Sequence, residues 1–566
     1  MNSNSKKYNE VLEIIDRRLI PDKAAKNARG EVFTPLNLVR EMILGISKSS
    51  IDSGKIEIWG IKDNTFIDDD ESDRIGGIPL EILRDSESTF LDPSNGIGNF
   101  PIVTFYILDY QLNKHGKTKE FRGEENTKKR QKHIVTNMLY MIELNKGNVN
   151  TSIKIFKLIT NATPNICCAN TIIMTDEKLM SYFGINRFDV IMGNPPYNKG
   201  GIRSKVGSKE GIETIWPQFI YLSIKLLKDN GFLIFITPNT WIELKANISK
   251  EILEYQLNYL RSYNVVESHA LFSGQSGEIP LAYFQLEKKH TKKDTYIFDK
   301  SLKKFIAFNI YDNRFIPSDG IQIISKLLDV KKKHGSLNNY YENTQTKKTQ
   351  PKKTQTKKNT KIETLISDTF SNEYIYPLIN IANNKINISY TNKCFNNHNN
   401  IPKLVFPNFS MGYPLLDITG ILEPAANMMF VVNQTMSNLK KIQELFYTNI
   451  VFFIINSLKT KQKFMSNRIF ELLPDITKIT SFPLKINDES LYDFFDFDKV
   501  DIECIENYKK SGEGRLTNET TKKFLQFNIE DYIPKTNINK IQSAIKKCKS
   551  NTKNKGSGLN KTRKLK

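Results

Sequence analysis

One short stretch constrains the fold of this chain more than any other. Residues 188–192, Phe-Asp-Val-Ile-Met, are mostly apolar and predict a buried strand. The strand must end at residues 193–197, Gly-Asn-Pro-Pro-Tyr, because the two prolines lack the N–H groups that pairing in a sheet requires. An amide and an aromatic ring are therefore held at the carboxyl end of a strand, the edge where open α/β sheets bind ligands. The structural alternative is a Pro-Pro turn with an incidental tyrosine.

A glycine-rich turn precedes this stretch by about 100 residues. Residues 89–100 read Thr-Phe-Leu-Asp-Pro-Ser-Asn-Gly-Ile-Gly-Asn-Phe, and a helical pattern follows at 102–112. Gly96 and Gly98 permit a close backbone approach to a ligand, and Asp92 can accept a hydrogen bond from an amine or a hydroxyl. A Gly-x-Gly alone is equally typical of a plain strand-to-helix turn. The longer Asp-Pro-x-x-Gly-x-Gly-x-Phe pattern favours a cofactor loop.

Two more strands are predicted to end in polar side chains. Residues 137–143 form a strand that ends in Glu143, and an acid at the end of the second strand of nucleoside-binding folds binds ribose hydroxyls. Its distance from the glycines is about twice the usual 20 residues, which the charged stretch at 113–132 explains. Residues 165–170 form a third strand that ends in Asn170. This amide either binds a ligand or faces solvent.

The segment that contains Phe33, Thr34 and Pro35 separates two amphipathic helices, predicted at 8–29 and 36–46. Threonine is a favoured N-cap and proline suits the first helical position, so an ordinary capped helix explains these residues locally. A helix N-terminus also offers free N–H groups to a carboxylate. Both interpretations remain open from the sequence.

Strands and helices alternate from about residue 85 to 290, which predicts an α/β fold with a Rossmann-like, doubly wound and mostly parallel sheet. Residues 231–241 are its next strand, and 265–274 and 279–287 are predicted as two further strands joined by a glycine-rich loop. The predicted organisation is a catalytic domain at 1–290 with insertions at about 50–86 and 113–132, a connecting segment at 291–330, a low-complexity basic linker at 331–360, a second domain at 361–510 and a basic tail at 511–566.

The charge of the chain indicates a polyanionic partner. Its 566 residues carry a formal net charge of +21, and nucleic acid is the first candidate because lysine and arginine neutralise phosphates. Charge alone does not separate DNA from RNA or from a membrane surface, and the abundance of Lys, Asn and Ile also reflects an AT-rich genome. Five cysteines without paired spacing argue against a disulfide framework or a zinc site. With no signal peptide or transmembrane run, we expect a soluble intracellular protein without a metal.

Taken together, the motif order resembles the N6-adenine DNA methyltransferases that use S-adenosyl-L-methionine, in the gamma arrangement where target recognition follows catalysis. Residues 30–35, Gly-Glu-Val-Phe-Thr-Pro, and the segment 483–497 are also similar to the Eco57I-like type II modification methylases. The resemblance covers 28–290 well and 360–510 loosely. It implies a class I methyltransferase fold, a C-terminal α/β target-recognition domain, double-stranded DNA as the partner, and a restriction-modification system with a possible separate endonuclease.

The resemblance also implies a role for each motif residue. Asn194, Pro195, Pro196 and Tyr197 would be catalytic, and Tyr197 and Phe272 would stack on the two faces of a flipped adenine. Phe272 is as readily explained as an ordinary core residue, and Asn170 stands where many relatives have an aspartate that binds the adenine amine. The implied cofactor-binding residues are Phe33, Thr34, Pro35, Asp92, Pro93, Gly96, Gly98, Glu143 and Asn170.

Three other functions share part of this pattern. Glutamine methyltransferases that modify release factors and some RNA methyltransferases carry Asn-Pro-Pro-Tyr, but they usually lack a region like 361–510. A bifunctional restriction enzyme would need a nuclease domain, and only about 28 residues precede the first cofactor motif. A DNA-binding protein with a vestigial methyltransferase fold would not need Asn194 and Tyr197. The DNA sequence that is recognised cannot be read from these residues.

Overall fold

The computed structural model divides the chain into two compact units, Met1–Ser318 and Asp319–Lys566. The helix predicted at 8–29, the motif residues 30–32, the loop at 199–212 and residues 344–360 of the basic linker lie outside the described residues. The described residues are 33–48, 57–62, 65–66, 71–198, 213–244, 246–272, 279–343, 366–382, 385–394, 400–407, 412–424, 428–458, 468–511 and 516–556.

A mixed sheet forms the centre of the first unit and has nine strands within the described part of the chain, in the spatial order β9-β8-β6-β7-β5-β4-β1-β2-β3. The five strands at the β3 end run parallel to one another, whereas β7 runs antiparallel to both β5 and β6. The predicted doubly wound sheet is thereby confirmed. The strands are β1 Phe90–Asp92, β2 Leu139–Glu143, β3 Asn165–Cys168, β4 Phe188–Gly193, β5 Leu227–Pro238, β6 Gln256–Tyr263, β7 Leu281–Glu287, β8 Thr295–Asp299 and β9 Lys304–Phe308.

The chain winds outward from β1 in both directions, and this determines where a ligand can bind. It first proceeds through β2 to β3, then crosses back to β4 on the other side of β1 and continues to β5. A crevice opens at such a switch point, outside the carboxyl ends of the strands. The helices of this unit are α1 Leu36–Leu44, α2 Asn99–His115, α3 Thr127–His133, α4 Lys146–Thr160, α5 Asp176–Phe183, α6 Trp216–Leu226, α7 Asn247–Glu254 and α8 Val265–Leu271.

The strand predicted at 265–274 is wrong. Residues Val265–Leu271 form helix α8, because Asn264 and Glu267 make a capping box in which each side chain accepts a hydrogen bond from the other residue's backbone N–H. The strand that precedes β7 is instead β6, which the sequence analysis missed.

The boundaries of the first unit also differ from the prediction. The unit extends to Ser318 instead of 290, because β8 and β9 from the predicted connecting segment extend the sheet beyond β6. The predicted insertion at 113–132 is anchored to the core by Arg130, which is 1% exposed and donates to Asp109 at 2.6 Å. Two short antiparallel strand pairs and a helical turn lie in or beside the other insertion: Ile46–Ser47 with Arg74–Ile75, Ile61–Lys62 with Thr65–Phe66, and Leu80–Leu83.

Helix α1 is held on the sheet by a buried polar network. The Glu41 carboxylate accepts hydrogen bonds from the Arg261 guanidinium on β6, at 2.7 Å, and from the Tyr283 hydroxyl on β7. The Arg261 guanidinium also lies over the Phe298 ring of β8, 4.3 Å from its centroid. Burial, and then the neighbouring carboxylate, raise the pKa of Tyr283, so its hydroxyl stays protonated and donates. The network therefore ties α1 to three strands that lie more than 200 residues later in the chain.

The second unit contains two four-stranded sheets within the described residues, with the orders β10-β17-β14-β15 and β11-β13-β12-β16. Its strands are β10 Tyr341–Asn343, β11 Ile366–Ser367, β12 Tyr376–Ala382, β13 Lys385–Thr391, β14 Lys403–Pro407, β15 Leu415–Asp417, β16 Glu423–Pro424 and β17 Met428–Val431. Its helices are α9 Ile321–His334, α10 Met436–Phe446, α11 Asn449–Ser457, α12 Asp488–Phe494, α13 Lys499–Ser511, α14 Asn518–Leu525 and α15 Lys535–Gly556, with a helical turn at Ile469–Leu472.

Two expectations for this part of the chain need correction. The predicted basic tail at 511–566 includes helices α14 and α15, and α15 buries Ile538, Ile541 and Ile545. The structure also joins Cys394 to Cys548, a pairing that the spacing of the cysteines does not reveal because 154 residues separate them. Among the described residues, no helix is both long and apolar enough to cross a membrane.

We predict that Arg261→Met destabilises the first unit by about 3 kcal/mol, because the Glu41 carboxylate would stay buried without its counter-charge. The three tryptophans, Trp59, Trp216 and Trp241, all lie in this unit, so urea unfolding followed by tryptophan fluorescence reports on it. The control is Lys129→Ala. Its ion pair with Glu120 is exposed, with side chains 57% and 54% accessible, and its loss should cost less than about 1 kcal/mol. Equal effects of the two substitutions would contradict a stabilising role for the network.

Candidate functional site

The polar strand ends predicted from the sequence lie side by side at one edge of the sheet. Strands β4, β1, β2 and β3 are consecutive neighbours and all parallel, so their carboxyl ends meet at the same edge. Asn194, Asp92, Glu143 and Asn170 lie at or just beyond these four ends in that order. Three strand spacings of about 4.8 Å separate the first end from the last, about 14 Å in all. The edge can therefore hold an elongated ligand.

A cavity of about 560 Å³ opens along this edge. It is continuous from the residues that follow β3 to the first turns of α6. Its lining residues are Phe33, Thr34, Asp92, Pro93, Ser94, Asn95, Gly96, Asn99, Phe100, Ile142, Glu143, Leu144, Asn148, Ala169, Asn170, Thr171, Ile172, Ile173, Asn194, Pro195, Pro196, Tyr197, Asn198, Glu213, Ile215, Gln218 and Phe219.

The glycine-rich turn between β1 and α2 is bound to the end of β2. The Gly96 N–H donates to Glu143 Oε2 at 2.7 Å, and the Asn145 N–H donates to Oε1 of the same carboxylate at 2.6 Å. Gly96 has a φ of +57°, and a Cβ atom there would lie 3.0 Å from the Phe33 ring. A glycine is needed at this position for both reasons, conformation and space. The turn therefore brings Phe33 and Glu143 to the same cavity.

Close contact between β4 and β1 places the Asn-Pro-Pro-Tyr segment beside the glycine-rich turn. A Cβ atom on Gly193 would lie 2.8 Å from Asp92 Oδ1, so the glycine lets the Asp92 carboxyl lie directly against the end of β4. On its other side the segment is fastened to the start of α6, because the Ile215 N–H donates to the Tyr197 carbonyl at 3.0 Å. A β-bridge between Asn198 and Thr214 adds a second link.

Asp92 is an acid in an unfavourable place for a charge. It is 1% exposed, and burial, opposed by a hydrogen bond from the Ser94 N–H and reinforced by the nearby Glu143 carboxylate, raises its pKa to about 8. Near neutral pH the side chain is therefore mostly protonated. A positively charged ligand would favour its ionised form. Burial also raises the pKa of Tyr197, which keeps that hydroxyl neutral.

Several buried polar atoms in the cavity have no hydrogen-bond partner among the residues that the structure describes. They are Thr34 Oγ1, Ser94 Oγ, Asn95 Oδ1, Asn99 Oδ1 and the Tyr197 hydroxyl. Thr34, Asn95 and Asn99 are only 2%, 5% and 4% exposed. Unsatisfied buried polar groups each cost free energy, so they are the atoms to which a polar ligand would bind.

The structure brings most of the predicted site residues together. Eleven line the cavity, and the exceptions are Pro35, Gly98 and Phe272. Pro35 is the N-cap residue of α1, and Gly98 is that of α2, in a left-handed conformation with a φ of +101°. Phe272 is 3% exposed and lies in the hydrophobic core, which agrees with the alternative explanation given for it above.

Sequence analysis missed two groups of cavity residues. Asn95 and Asn99 lie inside the glycine-rich motif, where their amide side chains were a visible but unused signal. Glu213, Gln218 and Phe219 reach the cavity only because α6 packs beside the Asn-Pro-Pro-Tyr segment, and no local pattern marks them.

We predict that Asp92 makes the ligand-free protein less stable as the pH rises. In the unfolded chain Asp92 loses its proton near pH 4, whereas the folded protein keeps it until about pH 8. Between these values the unfolded state binds fewer protons, so the free energy of unfolding falls by up to about 1.4 kcal/mol per pH unit. Asp92→Asn removes this contribution of Asp92 to the pH dependence of the free energy of unfolding. The difference in stability between variant and wild type, measured by urea unfolding, should therefore grow from pH 5 to pH 8 and then level off; a constant difference would contradict the assignment.

The comparisons with known proteins agree with this geometry. Residues 46–272 match the family model of the Eco57I restriction-modification methylase. The chain is 24% identical over 311 residues to the type II restriction enzyme and methyltransferase RM.Eco57I of Escherichia coli, which covers 45% of this chain and 31% of that protein. It is 32% identical over 73 residues to the type II methyltransferase M.TthHB8I of Thermus thermophilus, covering 10% of this chain and 17% of the relative. The chain thus spans less than a third of the length of either relative.

Solved structures of restriction-modification enzymes are also similar to this chain. A nuclease-deletion mutant of the type ISP enzyme LlaGI, in complex with a DNA substrate mimic, has a TM-score of 0.41 at 12% identity, over 82% of this chain and 54% of that one. The type IIL enzyme MmeI in complex with DNA has a TM-score of 0.40 at 10% identity, over 93% and 76% of the two chains.

The matched residues 46–272 contain strands β1 to β6 and all of the cavity lining except Phe33 and Thr34. The resemblance to the Eco57I-like modification methylases, which the motifs predict, is confirmed over residues 46–272.

Proposed function

We propose that the protein is a site-specific DNA methyltransferase that transfers a methyl group from S-adenosyl-L-methionine to N6 of an adenine that has been flipped out of the duplex. The observation that carries the proposal is the single cavity in which the Asn-Pro-Pro-Tyr segment meets the glycine-rich turn and Glu143. A methyl acceptor and an elongated nucleoside cofactor would share this space.

The residues along the sheet edge fit the cofactor. Glu143 accepts one hydrogen bond from the Gly96 N–H of the glycine-rich turn and one from the Asn145 N–H, and its carboxylate is the group that would accept hydrogen bonds from the ribose hydroxyls. Asn170 lies one strand further out, on the side of the adenine ring. Gly96 leaves the room that a bulkier residue would fill. S-adenosylmethionine would supply a methyl group made electrophilic by the positively charged sulfur that carries it.

The chemistry required of Asn194 and Pro195 follows from the acceptor. An exocyclic adenine amine is a poor nucleophile because its lone pair is delocalised into the ring. The Asn194 side-chain oxygen and the Pro195 carbonyl would each accept one N–H of this amine and draw its nitrogen toward tetrahedral geometry. The lone pair then points at the methyl donor. Pro195 and Pro196 hold both acceptors rigid, since proline fixes its own φ.

The base must leave the duplex before its amine can reach this site. Tyr197 would stack on one face of the extruded ring, and the buried Phe219 is another aromatic side chain of the cavity close to that segment. Phe272 is not part of this proposal because it lies in the core. The net charge of +21 supports a nucleic acid as the substrate, and the second unit, with its own core, is the candidate for recognition of the target sequence.

We predict that the full chain, incubated with methyl-labelled S-adenosylmethionine and a mixture of duplex DNA, RNA and protein, labels duplex DNA. Mass spectrometry of the digested DNA should identify the product as N6-methyladenine, and sequencing of the methylated sites would give the target sequence. Label found only on RNA or only on protein would refute the proposed substrate. A bifunctional enzyme would also cleave the DNA, and gel electrophoresis of the incubated DNA would reveal the fragments.

We further predict that Asn194→Ala lowers the rate of transfer by about 100-fold or more, because one of the two acceptors that orient the amine is lost. Binding of S-adenosylhomocysteine, measured by calorimetry, should change by no more than a few fold. The control is Asn230→Gly, an exposed residue with a φ of +61° that lies outside the cavity and tolerates glycine. Near-normal activity of the Asn194 variant would exclude its assigned role.

A further inference from the structure

At the start of α2, the two ends of the Asn99 side-chain amide differ in their contacts. Its Nδ2 donates to the Thr34 carbonyl at 2.8 Å, which links the segment before α1 to the glycine-rich turn although 65 residues separate the two. The residue is 4% exposed and lines the cavity. Its Oδ1 is buried and has no hydrogen-bond partner in the described part of the chain.

The orientation of this amide is dictated by its neighbour. A carbonyl oxygen can only accept, so the nitrogen of the Asn99 amide must face Thr34 and its oxygen must face away. Asn95 is fixed by the same rule, because its Nδ2 donates to the Gly96 carbonyl at 3.0 Å and to Ser152 Oγ at 2.9 Å. Its Oδ1 is likewise buried without a described partner. Asn95 and Asn99 thus both line the cavity, and each has a buried amide oxygen without a described hydrogen-bond donor.

The position of these oxygens restricts which part of a bound cofactor could supply the donors. The proposed function assigns the ribose to Glu143 and the adenine to Asn170, at the ends of β2 and β3. Asn99 is tied instead to Thr34, and Asn95 belongs to the turn that follows Asp92 at the end of β1. At that end the cofactor carries a carboxylate, which only accepts hydrogen bonds, and an ammonium group, which only donates. The buried Asp92 favours a positive charge at the same place.

We propose that Asn99, with Asn95 beside it, binds the α-ammonium group of the cofactor through its side-chain oxygen while its amide nitrogen positions Thr34. The inference rests on the proposed function and adds two ligand-binding residues to it. Asn99 thereby makes the site selective for a ligand that carries a free amine, independently of how the nucleoside is held.

Three ligands separate this role from a general effect on the cavity. S-adenosylhomocysteine carries the ammonium group, its deamino analogue keeps the carboxylate but lacks the amine, and 5′-methylthioadenosine lacks the whole amino-acid end. In the wild-type protein we expect S-adenosylhomocysteine to bind about 10- to 100-fold more tightly than the deamino analogue, the range for hydrogen bonds to a charged group. Calorimetry on the full chain measures all three affinities without requiring activity.

Asn99→Ala and Asn99→Leu should each reduce this preference by about tenfold and leave the affinity for 5′-methylthioadenosine nearly unchanged. The leucine variant fills the space of the amide, so it separates the lost hydrogen bond from an opened void. The matched control is Asn170→Ala, another cavity asparagine. It should weaken the binding of all three ligands alike, because it lies at the nucleoside end.

The ratio of the affinity for S-adenosylhomocysteine to that for its deamino analogue decides the question. An indirect effect through Thr34 would change both of these affinities equally and leave their ratio unchanged. A ratio that stays at the wild-type value in both variants would overturn the proposal. So would the loss of all three ligands in both variants, because Asn99 would then hold the turn together instead of binding an amine. A wild-type protein that binds none of the ligands would instead reject the proposed function itself.

Discussion

The approach of Gly193 to Asp92 is the constraint on which the site depends. A Cβ atom at residue 193 would lie 2.8 Å from Asp92 Oδ1, so a larger residue would displace the Asp92 carboxyl from the end of β4. The rigid segment at 194–197 begins one residue later, directly beside the glycine-rich turn. If the two strand ends moved apart, the Asn-Pro-Pro-Tyr segment and the glycine-rich turn would no longer line one cavity.

The free protein bears a cost for this arrangement. Asp92 is buried where its charge is disfavoured, and the amide oxygens of Asn95 and Asn99 lie in the cavity without described partners. Each such atom costs about 1–3 kcal/mol relative to a satisfied one. Other interactions offset this loss of free energy, chiefly the packing of the apolar core around the sheet and the polar network that holds α1. A ligand with the right polar groups recovers it, so that binding and stability are linked.

The sequence predicts the parallel half of the first unit well, because each of its strands ends in a recognisable signal. Pro-Pro after β4, the glycines after β1 and the acid at the end of β2 identify the strand ends, and parallel pairing then places them at one edge. The part of the sheet around the antiparallel strand β7 lacks such signals. Residues 265–271 are apolar enough for a strand, and only the reciprocal capping by Asn264 and Glu267 makes them helical. Phe272 comes directly after this helix and packs in the hydrophobic core.

Other features could not be predicted because they depend on contacts between distant residues. The orientation of the Asn99 amide is decided by the Thr34 carbonyl, and nothing in the residues around Asn99 specifies it. Cys394 and Cys548 meet only when α15 packs on its unit. Phe219 reaches the cavity because α6 is fastened to Tyr197 through Ile215. In each case the residue type was visible, whereas its partner was not.

The attachment of α1 has a consequence for the order in which the molecule can form. Glu41 finds its partners, Arg261 and Tyr283, only after 220 and 242 further residues have been synthesised. Until β6 and β7 exist, the Glu41 carboxylate of α1 lacks these partners, whereas Asn99 can already tie Thr34 to the glycine-rich turn. Contacts this distant in sequence form late and slowly. On the ribosome, α1 is therefore made long before the strands that hold its carboxylate in place.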